Sequence, residues 1–388
     1  MTSRSPHPET LRALEKLIAF DTTSRNSNLA LIDWAEAFLT HHGARCERVF
    51  DETGRKANLW ASFGPEAMPG WVLSGHTDTV PVDGQDWTVP PHALTEADGS
   101  YYGRGTCDMK GFLACCLGMV PEIAARPLQT PIHLAFSYDE EIGCLGVRGL
   151  LRELAAREVR LLGCVVGEPT MMQVCIGHKS KRGLRATVIG TPGHSSRAPD
   201  FVNAVEYGAR LVVKMQEIGR RLAVGAEDAM FDTPHSTAHV GTAHGGTALN
   251  IVPELFTMDF EFRTIAADDP DALVGEIRAY AEAVLLPEMR AVDPAAEIRI
   301  ELLSAFPGVD TPAEHDVVRA AQRFARRNDV IKVAFGTEGG LFQEALGVPT
   351  VVCGPGSIAE AHRPDEFIAA SQLVACEDFL RQLIDVCR

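Results

Sequence analysis

The sequence is short of basic charge, of long apolar stretches and of paired cysteine motifs, and each shortage removes a class of function. Its 388 residues carry 52 acidic side chains against 36 lysines and arginines, for a formal charge of -16. The basic residues are scattered apart from short clusters such as Lys179 to Arg182. A protein that tracks phosphates gathers its cations on one face, so nucleic acid is not an expected partner. The longest apolar runs, such as Phe112 to Val120, are too short and too broken to span a bilayer, and no membrane partner is expected. Met1 to Glu9 are polar, with no basic stretch leading into an apolar one, so no secretory signal is expected there. None of the ten cysteines stands in a Cys-x-x-Cys spacing, and most lie among apolar residues, as Cys164 and Cys376 do. They read as reduced, buried thiols of a cytoplasmic protein. Cys107, which directly precedes Asp108, is the one thiol placed to approach a metal.

What is present points to a sizeable core. With 46% of residues hydrophobic and 23% charged, the chain suffices for one large domain and a smaller one. Helical apolar spacing covers Leu11 to Phe20, Leu29 to His41, Met109 to Ile123, Gly146 to Ala156 and Pro312 to Arg326. Between them lie short apolar runs, Ala57 to Phe63, Trp71 to Ser74, Ile132 to Ser137, Leu161 to Val166 and Pro349 to Cys353, that read as strands. This alternation predicts an α/β catalytic domain over residues 1–178 and 305–388, with a mixed sheet flanked by helices. The middle changes character. Lys181 to Gly190 alternates, and Phe201 to Ile218 places Val202, Val205, Ala209, Val212 and Met215 along one helical face. Strand patterns at Thr237 to Thr242 and Glu254 to Thr264, a helix from Asp271 to Leu285 and a strand from Glu297 to Ser304 complete a β-α-β-β-α-β order. That order predicts an inserted ferredoxin-like α+β domain over 179–304, and two lobes predict a ligand cleft. Val80 to Gly105 and Gly354 to Asp365, rich in glycine, proline and acidic residues, read as loops that follow strands.

Several polar residues stand where apolar strands end. Trp71-Val-Leu-Ser-Gly-His76-Thr-Asp78 runs a hydrophobic strand into a histidine and an aspartate, which share one side of an extended backbone. Asp78 is then placed to take the proton of the imidazole nitrogen turned away from a metal. Gly103-Arg-Gly-Thr-Cys-Asp108-Met-Lys-Gly111 delivers a carboxylate at a helix start, where Asp108 reads equally well as a cap. Adjacent residues of a strand point oppositely, so Glu140 and Glu141 in Asp139-Glu-Glu141 have different tasks. Gly167-Glu168-Pro169 ends another strand, and Gly354-Pro-Gly356 leads into a loop bearing His362. Two histidines and three carboxylates are the ligand set of a pair of zinc-like ions bridged by one carboxylate.

These segments resemble the co-catalytic zinc aminoacylase and carboxypeptidase superfamily, and within it the bacterial acetylornithine deacetylases. The resemblance covers nearly the whole chain and includes Thr191-Pro-Gly-His194-Ser-Ser196 and Gly245-Gly-Thr-Ala-Leu-Asn250-Ile-Val-Pro253. It implies that His76, Glu141, Glu168 and His362 are terminal ligands and Asp108 the bridging one. Glu168 would share an ion with His76, and Glu141 with His362. It implies Asp78 as the partner behind the ligand His76, Glu140 as the catalytic base, and His194 as a donor to the tetrahedral oxyanion, reaching a neighbouring subunit's active site in a homodimer formed through the inserted domain. Asn250, Arg263, Gly336 and Glu338 are implied in substrate binding, Arg263 as a clamp on the α-carboxylate and Glu338 as partner of a cationic side chain. From residues alone, Arg263 is equally a solvated arginine on an open sheet face, and Gly336 to Gly340 a turn before a helix. The ions implied are two divalent cations, zinc first, with cobalt and manganese suited to the same donors. The implied substrate is a small N-acyl amino acid, N-acetylornithine, cleaved to ornithine and acetate as in arginine biosynthesis. Succinyl-diaminopimelate desuccinylases, other N-acyl amino acid deacylases, carboxypeptidases and dipeptidases share the same core.

Overall fold

The computed structural model describes residues 4–388, so the reading of Met1 to Glu9 falls partly outside the described residues. The chain divides into two units. One runs to Gly177 and resumes over Val309–Lys332 and Thr337–Arg388; the other comprises His178–Gly308 and Val333–Gly336.

The larger unit is built on a nine-stranded mixed sheet. At its centre four neighbours, Ile132–Ser137, Gly70–His76, Leu161–Pro169 and Thr350–Gly354, run parallel. Ala57–Phe63 and then Arg45–Phe50 extend the sheet antiparallel beyond Ile132–Ser137. Every residue of Ala57–Phe63, Gly70–His76, Ile132–Ser137 and Thr350–Gly354 is buried, as expected of strands covered on both faces. The helices Pro8–Ile18, Lys110–Gly118, Ala370–Cys387 and Asp316–Ala325 pack in that series, and Val147–Ala156 packs against Gly339–Leu346. The expected single helix from Met109 to Ile123 is two, Lys110–Gly118 and Val120–Ala124. Pro121 sits in the first turn of the second, a position that tolerates its missing N–H.

Parallel strands share a direction, so their carboxyl ends open at one edge of the sheet. His76 ends one of them, Glu168 lies at the end of a second, and Glu140 and His362 follow the other two. Two glycines bring Asp108 to that edge. A methyl group on Gly75 would stand 2.6 Å from Met109 Cε, and one on Gly167 would stand 2.0 Å from the Phe112 ring. Only glycine lets the helix behind Asp108 sit this close to the strands of His76 and Glu168. Among the described residues, no helix is long and apolar enough to cross a membrane.

The smaller unit has a four-stranded sheet in the order Thr237–Gly245, Leu255–Thr264, Ser180–Ile189, Glu297–Phe306, all antiparallel. With the helices Ala204–Leu222 and Pro270–Tyr280 it completes a β-α-β-β-α-β order. Phe256, Met258, Phe260 and Phe262 are buried on one face, together with Leu184, Ala186 and Val188, against Leu211, Met215, Ile218 and Ile277. Burying each such large side chain stabilises the unit by about 1.5–3 kcal/mol. Asn203 caps the first helix by accepting from the N–H groups of Val205 and Glu206, and this cap sets its phase. The inward face is therefore Ala204, Gly208, Leu211, Met215, Ile218 and Leu222, and Ala209, expected inside, is exposed. The unit also extends past the expected 179–304. Lys181 pairs with Phe306 at the end of the ladder, and Gly336 lies against the Phe306 ring, where a methyl group would stand 2.0 Å from Cε2.

Candidate metal centre and active site

The five expected ligands converge into two groups that share Asp108. His76, Asp108 and Glu168 form one, and Asp108, Glu141 and His362 the other, with the ligand atoms in each within 4.8 Å of one another. Asp108 divides its oxygens between them. Oδ1 lies 3.1 Å from His76 Nε2, and Oδ2 lies 3.2 Å from His362 Nε2. Glu168 Oε1 is 3.5 Å from His76 Nε2, and Glu141 Oε2 is 3.1 Å from His362 Nε2. The alternative role of Asp108 as a helix cap does not hold, since the cap position of Lys110–Gly118 is Met109 and it makes no side-chain capping bond.

Charge explains what this cluster needs. Burial and then the Asp108 charge push Glu168 well above the usual carboxylate range and Glu141 up to about 7. Burial, then Glu141, Asp78 and Asp108, push Glu140 up to about 8 despite the opposing pull of His76. Asp108 goes the other way. Burial opposes its charge, but hydrogen bonds with His362 and His76 hold it well below its ordinary value. His362 in turn is raised to about 10 by Asp108 and Glu141. Carboxylates crowded beyond the charge of two imidazoles, all nitrogen and oxygen donors, fit two divalent cations bridged by Asp108.

Asp78 and the acidic pair differ in detail from expectation. His76 Nδ1 bonds to the main-chain oxygen of Asp78 at 2.9 Å, and the Asp78 carboxylate stands farther off at 3.6 Å. The carboxylate is engaged elsewhere. It accepts from Ser24 Oγ at 2.7 Å and from the main-chain N–H groups of Glu140 at 3.1 Å and Glu141 at 3.3 Å. One residue thus orients a ligand through its backbone and the acidic turn through its side chain. That turn is not extended. The strand ends at Ser137, Asp139 takes a left-handed φ of 54°, and a turn sends Glu141 to His362 while Glu140 Oε1 accepts from Cys144 Sγ at 3.2 Å. Cys107 belongs to neither group. Its Sγ donates to the main-chain oxygen of Ser357 at 3.2 Å, and burial pushes the thiol far up.

Glu338 is buried at 1% exposure, where it accepts from Ser74 Oγ at 2.6 Å and Ser137 Oγ at 2.7 Å. Its two oxygens are taken up by hydroxyls on the strands of His76 and Glu140, which differs from the expected open partner for a substrate ammonium. Glu366 supports the centre without having been assigned a role. Its carboxylate accepts from Gly105 N at 2.9 Å, Cys107 N at 2.8 Å and Asp108 N at 3.0 Å, and pairs with the buried Arg104 at 2.7 Å. Three convergent N–H donors fix the loop that presents Asp108.

The remaining candidates lie in the smaller unit. His194 and Asn250 are exposed neighbours, joined by the short ladder of Gly193–His194 with Ile251–Val252 and by Ser195 N donating to Asn250 O at 3.1 Å. His194 Nδ1 accepts from the main-chain N–H of Ser196 at 3.2 Å, so the neutral ring carries its proton on Nε2. Arg263 is half-buried on the open face of its strand, its Nε donating to Glu261 Oε1 at 2.9 Å.

The sequence pattern of "Peptidase family M20/M25/M40" matches residues 72–386. An acetylornithine deacetylase of Myxococcus xanthus is 33% identical over 380 residues, covering 96% of both chains. Among solved structures, an M20 family metallo-carboxypeptidase from Sulfolobus solfataricus superposes with a TM-score of 0.75 at 17% identity, over 97% of this chain and 98% of that one. A dinuclear metal-binding peptidase of the M20 family from Bacillus subtilis superposes with a TM-score of 0.69 at 15% identity, over 98% of each. The chain belongs to peptidase family M20/M25/M40 and is a metal-dependent hydrolase.

Proposed function

We propose that the chain hydrolyses N-acetyl-L-ornithine to L-ornithine and acetate, with His76, Asp108 and Glu168 holding one zinc-class ion and Asp108, Glu141 and His362 a second. The observation that carries this reading is the near-full-length likeness to an acetylornithine deacetylase, joined to a centre whose Glu140 stands beside the ligand groups without belonging to either. Two such ions, held by these residues, would make a water easier to deprotonate and would polarise the acyl oxygen. Glu140 takes a proton from the attacking water as its oxygen bonds to the acyl carbon, and delivers that proton to the amine nitrogen as the C–N bond breaks, so one carboxyl serves as base and then acid. The Asp78 carboxylate steadies this side chain through the N–H of Glu140, and the Cys144 thiol through Oε1. The Nε2–H of His194 supplies a donor for the oxyanion, with Asn250 beside it. Glu261 occupies Arg263 Nε, and we assign its Nη pair to the substrate α-carboxylate, with Gly336 in the binding loop.

The same reading makes the protein a cytoplasmic homodimer. Ten free cysteines, nine of them buried, suit a reducing compartment. Pairing through the inserted unit is supported by its sheet, whose outer strand Thr237–Gly245 has a neighbour on one side only, with exposed Leu249, Ile251 and Leu255 nearby. The test is a product assay on zinc- and cobalt-loaded protein with N-acetyl, N-formyl and N-succinyl amino acids and a dipeptide set. Acetylornithine should give the highest kcat/KM. A higher value for N-succinyl-diaminopimelate or a dipeptide would replace the substrate and keep the hydrolase.

A further inference from the structure

The segment Val80 to Gly105, expected as a loop, carries a short hairpin of Thr95–Ala97 with Ser100–Tyr102 that pairs with Phe367–Ala369, and its remaining loop is fastened to Gly354 to Asp365 with Gln85 as the hub. Its Nε2 donates to the main-chain oxygen of His362 at 3.0 Å, while its Oε1 accepts from Arg104 Nη2 at 2.5 Å and Trp87 Nε1 at 3.0 Å. Thr88 adds a second tie, donating from N at 2.8 Å and from Oγ1 at 2.9 Å to the two carboxylate oxygens of Asp365. Arg104 joins both loops to the Asp108 support, donating to Arg363 O at 3.3 Å and to Glu366 Oε2 at 2.7 Å. Its guanidinium lies 5.0 Å from the Trp87 ring centroid. Asp365 belongs to neither candidate ligand group.

The His362 segment needs this fastening. His362 and Asp365 hold φ values of 62° and 55°, in the left-handed region that residues other than glycine adopt only when their surroundings hold them there. The His362 side chain is 51% exposed, so packing does little to hold the ring. His76, at 1% exposure on the end of a central strand, needs no such help.

We infer that Gln85, Thr88 and Asp365 are positioning residues that set the cation affinity of the Asp108–Glu141–His362 group and leave that of the His76 group unaffected. The inference rests on the reading of His362 as a ligand. It assigns a task to the proline- and glycine-rich loop after Asp78, which the reaction itself does not use.

The experiment is a calorimetric titration of the metal-free full chain with Zn2+, repeated with Co2+ so that visible absorption reports coordination. Partners that orient a metal ligand are worth about 10–100-fold in affinity, so Gln85→Ala and Asp365→Ala should weaken one class of site by about that factor and leave the other within about twofold. Asp365→Asn, which keeps one acceptor oxygen and suits a left-handed backbone, should recover part of the loss. His362→Ala serves as the control and should remove the same class of site outright. If it removes none, the ligand reading fails independently of the clasp. Parent affinities in both classes for Gln85→Ala and Asp365→Ala would overturn the inference. Equal weakening of both classes with a lowered melting temperature would overturn it as well, because the loop would then be general scaffold.

Discussion

The two ligand groups share Asp108 yet are built in opposite ways. His76 and Glu168 stand at the ends of neighbouring parallel strands, 1% and 4% exposed, braced by the sheet and by the helix that Gly75 and Gly167 admit. Glu141 and His362 lie in turns beyond the strands, one after a left-handed Asp139 and the other itself left-handed, with the His362 side chain half exposed. The first group is positioned by packing, which distributes its constraint over many contacts. The second is positioned by a few hydrogen bonds between loops, each removable by a single substitution. Burial also limits solvent access, so the two groups should differ in how readily an ion leaves.

Removing the residue common to both should have the largest effect. Asp108→Ala should bind neither ion at stoichiometric concentration, and the loss of several kcal/mol of transition-state stabilisation should lower turnover by about 10³-fold or more. Metal analysis of dialysed protein checks this, and retention of two ions would mean that the groups do not depend on Asp108. Glu338→Ala probes the sheet beneath the His76 group. It leaves the buried hydroxyls of Ser74 and Ser137 without their acceptor, and at about 1–3 kcal/mol for each unsatisfied group it should destabilise the chain by about 2–6 kcal/mol in urea unfolding. An unfolding midpoint equal to the parent's would contradict the bracing role of Glu338. The smallest effect concerns exchange. On brief exposure to a chelator, one ion should depart about tenfold faster than the other, and His362→Ala should abolish the fast phase. A single phase for both ions would erase the contrast between the groups.

The same contrast explains what was legible in the sequence. His76, Asp108 and Glu168 stand out because an apolar strand or a glycine-rich turn ends in a polar residue, a pattern visible within ten residues. Glu141 and His362 could be placed by family resemblance, but the turn that separates Glu140 from Glu141 depends on a left-handed Asp139 that alternation cannot foresee. The anchors were hidden for another reason. Glu366 works through main-chain N–H groups of residues 258 to 261 positions away, which leave no mark on residue type. Glu338 sits in a glycine-rich segment that reads either as a turn before a helix or as a substrate-binding loop, and its burial is decided by serines 264 and 201 positions away. In the smaller unit, strict alternation made the strands plain, and the helical spacing placed Met215 in the core with Val205 and Val212 against it, Ala209 alone of the expected face turning outward.

The most direct test of the central claim, that Glu140 does chemistry beside two ions it does not hold, is Glu140→Gln assayed for metal content and turnover on the same sample. Both ions should remain while kcat falls by about 10²–10⁴-fold, the usual contribution of a positioned acid–base group. Turnover close to the parent's, or loss of an ion, would contradict it.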